Sequence, residues 1–122
     1  MKYSDRQRLQ KIYDYATQLQ TTVKELHITE KELLTTVHLQ WLVTTPLYNM
    51  GEHASHLSPE FKASHSEIEW TLIAGLRHHL VHDYDGTNWL TITEIIFNDL
   101  PVLIEQLEKL KSKNFQDNSI TE

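Results

Sequence analysis

Apolar residues recur along this chain at intervals of three and four positions, and runs that alternate apolar and polar residues are hard to find. Such spacing is typical of amphipathic helices, whereas alternation would indicate strands. The first stretch predicts a helix from about Ser4 to Leu26, because Ser4 and Gln7 form a capping-box pair. Its inward stripe is expected to contain Leu9, Ile12, Ala16, Leu19, Val23 and Leu26. The pattern indicates an all-α fold class.

A second capping box, Thr29 with Glu32, predicts a helix that continues to about Ser58 and kinks at Pro46, which lacks a backbone donor. Gly51 lies inside this helix, where glycine costs about 1 kcal/mol relative to alanine and often permits the close approach of another backbone. Gly51 therefore indicates either such an approach, for instance across an interface, or a glycine that is merely tolerated. The buried face is expected to contain Leu33, Leu34, Val37, Trp41 and Leu42, followed by Leu47, Met50 and Ala54.

Two further helices complete the pattern after a loop or short helical turn over residues 59–65. The third begins near Ser66, and the fourth runs from about Trp89 to Lys111 with a bend at Pro101. Four amphipathic helices with short links predict an antiparallel four-helix bundle whose second and fourth helices are kinked. This helical domain would span residues 1–111, and residues 112–122 would form a polar, frayed tail. The third and fourth inward stripes are Ile68, Leu72, Ile73, Leu76 and Leu80, and Ile92, Ile95, Ile96, Leu100, Leu103, Leu107 and Leu110.

Composition limits the classes of function. The net charge is −6, which argues against a broad electrostatic surface for nucleic acid, so any RNA contact must be local or completed by oligomerisation. A cationic cluster near the N-terminus could contribute, although a solvated helix face is its simpler interpretation: Lys2, Arg6, Arg8 and Lys11. Cysteine is absent, which excludes disulfides and thiolate metal sites. With no long apolar run and no signal-peptide core, we expect a soluble, cytoplasmic protein without a membrane partner.

The stretch from Arg77 to Tyr84 concentrates the chemistry, since it holds three of the eight histidines. Arginine keeps its charge and presents a planar donor fork that matches phosphate, while histidine exchanges protons near neutral pH. These residue types suit phosphodiester cleavage without a metal or other cofactor. Arg77 and His82 would be about 140° apart around a helix, so a symmetric dimer would be needed to bring two such sets into one cleft. A solvated helix end is the bland alternative.

The same residues resemble a known family. The pattern Arg77-x4-His82-x-Tyr84 is similar to the R-x4-H-x-Y motif of HepT, the HEPN-type toxin of bacterial toxin-antitoxin modules. Flanking blocks are also similar to the family's and keep its spacing: Gly51-Glu52, Ile68-Glu69-Trp70, Gly75-Leu76 and Asn98-Asp99-Leu100-Pro101. The chain departs from the family pattern at Glu69, Asp85 and Thr93.

The resemblance implies a HEPN-like bundle that acts as a metal-independent endoribonuclease and homodimer. Arg77 and His82 would be catalytic, and His78 would fill the polar position that often follows the arginine. It also implies a partner, a minimal nucleotidyltransferase antitoxin that uses ATP to adenylylate Tyr84 and so blocks RNA.

Two alternatives stay open from the residues. The first is a metal-binding bundle in which His53 and His56 join His78, His79 and His82, with Glu52 and Asp83 as further candidates. The second is a catalytically silent subunit that only docks a nucleotidyltransferase.

Overall fold

The computed structural model describes residues 2–82 and 87–117, with the side chains of 81, 82 and 114–117 left out of the description. Every regular element in these ranges is helical, so the predicted all-α class is confirmed. The four longest helices, α1, α3, α5 and α7, form a bundle with three short helices and one π-helical turn at its ends and links. The elements are α1 (Asp5–Glu25), α2 (Glu30–Thr35), α3 (Val37–Ser55), α4 (Pro59–Ser64), α5 (Trp70–His82), α6 (Trp89–Glu94), a π-helical turn (Ile95–Asp99) and α7 (Leu100–Asp117).

Helix α1 begins and ends within a residue of the prediction. Ser4 and Gln7 form both hydrogen bonds of the capping box, and Leu26 is the C-terminal cap. His27 follows with a positive φ of 53°, and the amide of Ile28 then donates to the carbonyl of Val23 at 3.0 Å. This left-handed residue ends the helix and turns Ile28 into the core, where it is 6% exposed.

The predicted second helix is wrong in one respect, because the chain breaks into α2 and α3 at Thr36, ten residues before Pro46. Thr36 has extended angles, φ −113° and ψ 108°. It lies between Thr35 and Val37, and three consecutive β-branched residues are poor helix formers. The Gln40 side chain compensates the break, since its Nε2 donates to the carbonyl of Leu33 at 3.0 Å. Helix α3 then continues through Pro46.

The short helical turn expected over residues 59–65 is α4, and the third predicted helix, α5, begins at Trp70 rather than near Ser66. Trp70 begins α5 and its indole Nε1 donates to the carbonyl of His65 at 3.0 Å, which fixes the turn between the two helices. After α5, the side chain of Asn88 caps the start of α6 by accepting a hydrogen bond from the amide of Thr91.

The bend expected at Pro101 takes the form of a π-helical turn immediately before it. Pro101 has no amide to donate to the carbonyl four residues earlier, and the backbone of Ile95–Asp99 widens so that the amide of Leu100 donates to Ile95. Helix α7 extends to Asp117, six residues beyond the Lys111 at which the sequence pattern ended it.

The core lies between α1, α3, α5 and α7, and most predicted inward positions are buried. Predictions were wrong for a group of apolar side chains that are more than a third exposed: Leu26, Leu34, Val37, Trp41, Leu42 and Leu72. The buried row of α3 is instead Val43, Leu47, Met50 and Ala54. Of the helices in the described ranges, none combines the length and apolarity that crossing a membrane requires.

Candidate active site

The site is built where α3 packs most closely on α5. A Cβ placed on Gly51 would lie 2.7 Å from the backbone nitrogen of Arg77 and 2.9 Å from its Cβ. Since real side chains do not tolerate such distances, only glycine allows the two backbones to approach this closely. The close approach anticipated for Gly51 therefore occurs within the chain, and its consequence is to seat the backbone of Arg77 against α3.

Glu52, the next residue of α3, holds the Arg77 side chain. Its Oε1 lies 2.7 Å from Nε of Arg77, and the two side chains are 35% and 44% exposed. Oε1 is buried and has no aligned hydrogen bond within the described residues, so the ion pair is its main stabilising contact. The other oxygen, Oε2, lies 3.3 Å from Nε2 of His56, one turn further along α3. The carboxylate thus joins a permanent cation and an imidazole at one edge of the bundle.

The ion pair occupies only the Nε side of a guanidinium that carries five N–H donors. With nearly half of the Arg77 side chain exposed, the terminal nitrogens can reach an external anion. Coulomb attraction at this exposure is screened and adds less than about 1 kcal/mol to folding. The ion pair matters for orientation: because Glu52 holds one edge of the Arg77 guanidinium, the other edge points in a fixed direction.

Of the remaining predicted site residues, the structure describes the side chains of some and not of others. His78 and His79 follow Arg77 on the exposed side of α5, with their rings in edge contact at a centroid distance of 6.0 Å. His82 is the last residue of α5, and its side chain lies outside the described residues. Tyr84 also lies outside them. Glu52 therefore contacts both Arg77 and His56, and the predicted pairing of Arg77 with His82 lies outside the described residues.

A second cluster, centred on His53 on another face of α3, was not predicted from the sequence. His53 is only 8% exposed and accepts a 3.3 Å hydrogen bond at Nδ1 from Nη1 of Arg8. Because arginine only donates, Nδ1 carries no proton and the ring is neutral. Burial, followed by the nearby charges of Arg8 and Lys11, lowers the pKa of His53 below its usual value. The ring also contacts Tyr3 edge-on at 5.4 Å and stacks near Tyr15 at 6.4 Å.

This cluster bears on the metal-binding alternative, since His53 already uses Nδ1 for Arg8. Among the side chains that the structure describes, which do not include His82 and Asp83, no three histidine or carboxylate groups converge as metal ligands would.

Sequence reasoning missed the partners Glu52 and His56 of Arg77 and the link between Arg8 and His53. Glu52 had been noted only within a family block and as a possible ligand. A signal was present: Glu52 and His56 are four apart, and the only glycine of α3 immediately precedes Glu52. The contact of Arg8 with His53 spans 45 positions and depends on how α1 packs against α3.

Comparisons with known proteins show which family the chain belongs to. A family model described as "Ribonuclease HepT-like" matches residues 9–110, and no solved structure gives a significant match. A protein of Caldanaerobacter subterraneus subsp. tengcongensis named "Putative RNase" is 38% identical over 64 residues, which is 52% of this chain and 57% of that protein. The "Probable ribonuclease HepT" of Thermococcus cleftensis is 28% identical over 111 residues, 91% of this chain and 99% of that protein.

The family model covers the helices that carry Gly51, Glu52 and Arg77, and it extends over most of the chain. A family of ribonucleases is consistent with an exposed, oriented guanidinium beside imidazoles at one edge of a helical bundle. This chain belongs to the HepT-like ribonuclease family.

Proposed function

We propose that the protein is a metal-independent endoribonuclease in which Arg77 binds and stabilises the scissile phosphate and His82 transfers protons. The observation that carries the proposal is the Arg77 guanidinium, held at Nε by Glu52 at 2.7 Å, in a side chain that is 44% exposed. Family membership supports the choice of RNA as the substrate.

The proposed reaction uses the 2′-hydroxyl of RNA as the nucleophile. Its oxygen forms a bond to the adjacent phosphorus while the bond from phosphorus to the 5′-oxygen breaks. The proton of the 2′-hydroxyl passes to a neutral imidazole, and a protonated imidazole supplies one to the leaving 5′-oxygen. Arg77 stabilises the extra negative charge of the phosphorane, and His78, next to it on α5, supports phosphate binding. The products are a 2′,3′-cyclic phosphate and a 5′-hydroxyl.

Cleavage of a labelled RNA by the purified chain in EDTA tests this function. Removing the imidazole in His82→Ala is expected to lower the rate by about 10²- to 10⁴-fold. Arg77→Lys is expected to lower it by about 10²-fold, because a point charge does not reproduce the donor fork. His38→Ala is the matched control for His82→Ala, since it removes an exposed histidine elsewhere, and Arg6→Lys is the matched control for Arg77→Lys, since it makes the same exchange on α1. Full activity in either site variant, or activity that requires added metal, would refute the assignment.

The proposal extends to assembly and regulation. The protein would work as a homodimer that brings two Arg77–His82 sets to one cleft, within a toxin-antitoxin module. A minimal nucleotidyltransferase antitoxin would add AMP from ATP to Tyr84, and the added phosphate would compete with RNA for Arg77.

Incubation with that enzyme, ATP and Mg²⁺ is expected to add AMP to Tyr84 and stop cleavage, while Tyr84→Phe stays active and unmodified. AMP located on another residue by mass spectrometry would refute this regulation. A chain that is modified but never cleaves RNA would instead favour the catalytically silent docking subunit.

A further inference from the structure

The cationic cluster at the start of α1 is held in a fixed arrangement by aromatic rings. The guanidinium carbon of Arg8 lies 5.3 Å from the centre of the Tyr3 ring, and Nζ of Lys11 lies 5.7 Å from it. Arg8 also donates to His53. Cations are attracted to the face of such a ring, so Tyr3 holds both of them close to itself. Arg8 and Lys11 therefore form a preorganised pair of positive charges on an otherwise acidic protein.

Two carboxylates of α1 and α3, Asp5 and Glu52, have other partners. Asp5 accepts from the backbone amide of Ser58 at 2.9 Å and from its hydroxyl at 2.6 Å. Glu52 is paired with Arg77 and His56. Within the described ranges, neither Arg8 nor Lys11 forms an ion pair with a carboxylate. The Asp5–Ser58 contact also fixes the start of α1 against the end of α3, which keeps the pair beside His53.

The pair and Arg77 flank the same turn of α3. His53 contacts Arg8 and the adjacent Glu52 contacts Arg77, and consecutive residues of a helix point about 100° apart. Both cationic positions therefore lie beside the same turn of α3, on faces about 100° apart. A single strand that contacts one of these faces can continue onto the other.

We propose that Arg8 and Lys11, held by Tyr3 and His53, bind the phosphates of the RNA strand that continues from the scissile phosphate at Arg77. The proposal rests on the proposed ribonuclease function and specifies where its substrate lies: across the end of α3, from α5 to α1. Arg8, which is half-buried, carries four N–H groups beyond the one given to His53, and the exposed Lys11 carries three that can donate to phosphate oxygens. Contacts with phosphate groups do not depend on the base sequence of the RNA.

Binding of a fully 2′-O-methylated single-stranded RNA, which the proposed reaction cannot cleave, tests this subsite by fluorescence anisotropy. The double variant Arg8→Gln, Lys11→Gln is expected to bind about fivefold or more weakly at low salt, and the slope of log K against log salt should fall by about 1.4, or 0.7 per lost phosphate contact. The control, Lys24→Gln with Lys31→Gln, makes the same change in net charge at exposed positions at the far end of α1 and on α2. It should keep the wild-type slope.

Two substitutions of Tyr3 test whether its aromatic ring is needed to hold Arg8 and Lys11. Tyr3→Leu should weaken RNA binding and Tyr3→Phe should not, because phenylalanine keeps the ring face that holds both cations. Equal losses in the two charge doubles, or an unchanged slope in the Arg8–Lys11 double, would overturn the subsite.

The two proposals can fail separately. Wild-type cleavage combined with RNA binding that ignores Arg8 and Lys11 would leave the ribonuclease and refute the subsite. Suppose instead that the protein cleaves no RNA, that its RNA binding depends on Arg8 and Lys11, and that Arg77→Lys leaves this binding unchanged. The binding subsite would then stand and the ribonuclease function would be refuted.

Discussion

The two halves of α3 differ sharply in how the bundle uses them. From Leu47 to Ser55 the helix packs on α5 through Gly51 and on α1 through His53, and Leu47, Met50 and Ala54 are at most 1% exposed. From Val37 to Pro46 the apolar side chains of Val37, Trp41 and Leu42 are 42–58% exposed. Charged and titratable groups with defined partners occur only in the closely packed half. A rigid frame on both sides is what holds such groups in a fixed geometry.

The largest expected contrast compares one apolar residue from each half. Leu47→Ala should destabilise the protein by about 2–5 kcal/mol, because Leu47 is fully buried and the cavity left behind cannot fill. Trp41→Gln should change stability by no more than about 0.5 kcal/mol, since most of that side chain is already in water. Urea unfolding at low protein concentration measures both. A cost at Trp41 that approaches the cost at Leu47 would break the comparison.

The next contrast uses two glycines, both inside helices. In Gly51→Ala the new methyl group meets the backbone of Arg77, whereas a Cβ on Gly75 meets nothing within 4 Å. The gain in helix propensity of up to about 1 kcal/mol is common to both and cancels. Gly51→Ala should therefore be less stable than Gly75→Ala by about 1–3 kcal/mol, the cost of overpacking.

The same pair of variants connects packing with activity. Gly51→Ala should also lose RNA cleavage, because it displaces Arg77, while Gly75→Ala should keep it. Equal unfolding midpoints in urea would show that the two backbones are not in close contact at Gly51.

The sequence predicted those parts of the fold that depend on neighbouring residues. The capping boxes at Ser4 and Thr29 place helix starts through contacts three residues apart, and both were predicted. The start of a helix near Trp89 was predicted too, but its cap at Asn88 was not. The break at Thr36 was missed because Pro46 was the stronger local signal, whereas three weak helix formers in a row ended the helix earlier. The π-helical turn before Pro101 was anticipated only as a bend.

Burial in α3 could not be predicted from periodicity alone. The sequence offers two apolar rows, one through Val37 and Trp41 and one through Val43, Leu47 and Met50, and both have helical spacing. Only packing against α1 and α5 decides which row faces inward. The same reason hid the partners of Arg77 and Arg8, because each contact joins helices far apart in sequence.

The smallest expected effect is a pH dependence of stability that arises at His53. The pKa of His53 in the folded protein lies below the ordinary value of 6.5, because burial and the charges of Arg8 and Lys11 disfavour the protonated ring. The unfolded chain therefore takes up this proton at higher pH than the folded one. The stabilising contribution is complete above 6.5, declines as the pH falls below 6.5, and is constant again below the pKa of the folded state.

Urea midpoints measured from about pH 7.5 to 5.5 test this dependence. His53→Asn should flatten the decline, because the amide oxygen can still accept from Arg8 but does not titrate. His56→Gln removes a neighbouring exposed imidazole and should leave the decline in place. If His53→Asn and the wild-type protein lose stability in parallel over this range, His53 is protonated as readily in the folded chain as in the unfolded one. The tightly packed half of α3 would then be more open to water than its 8% exposure of His53 indicates.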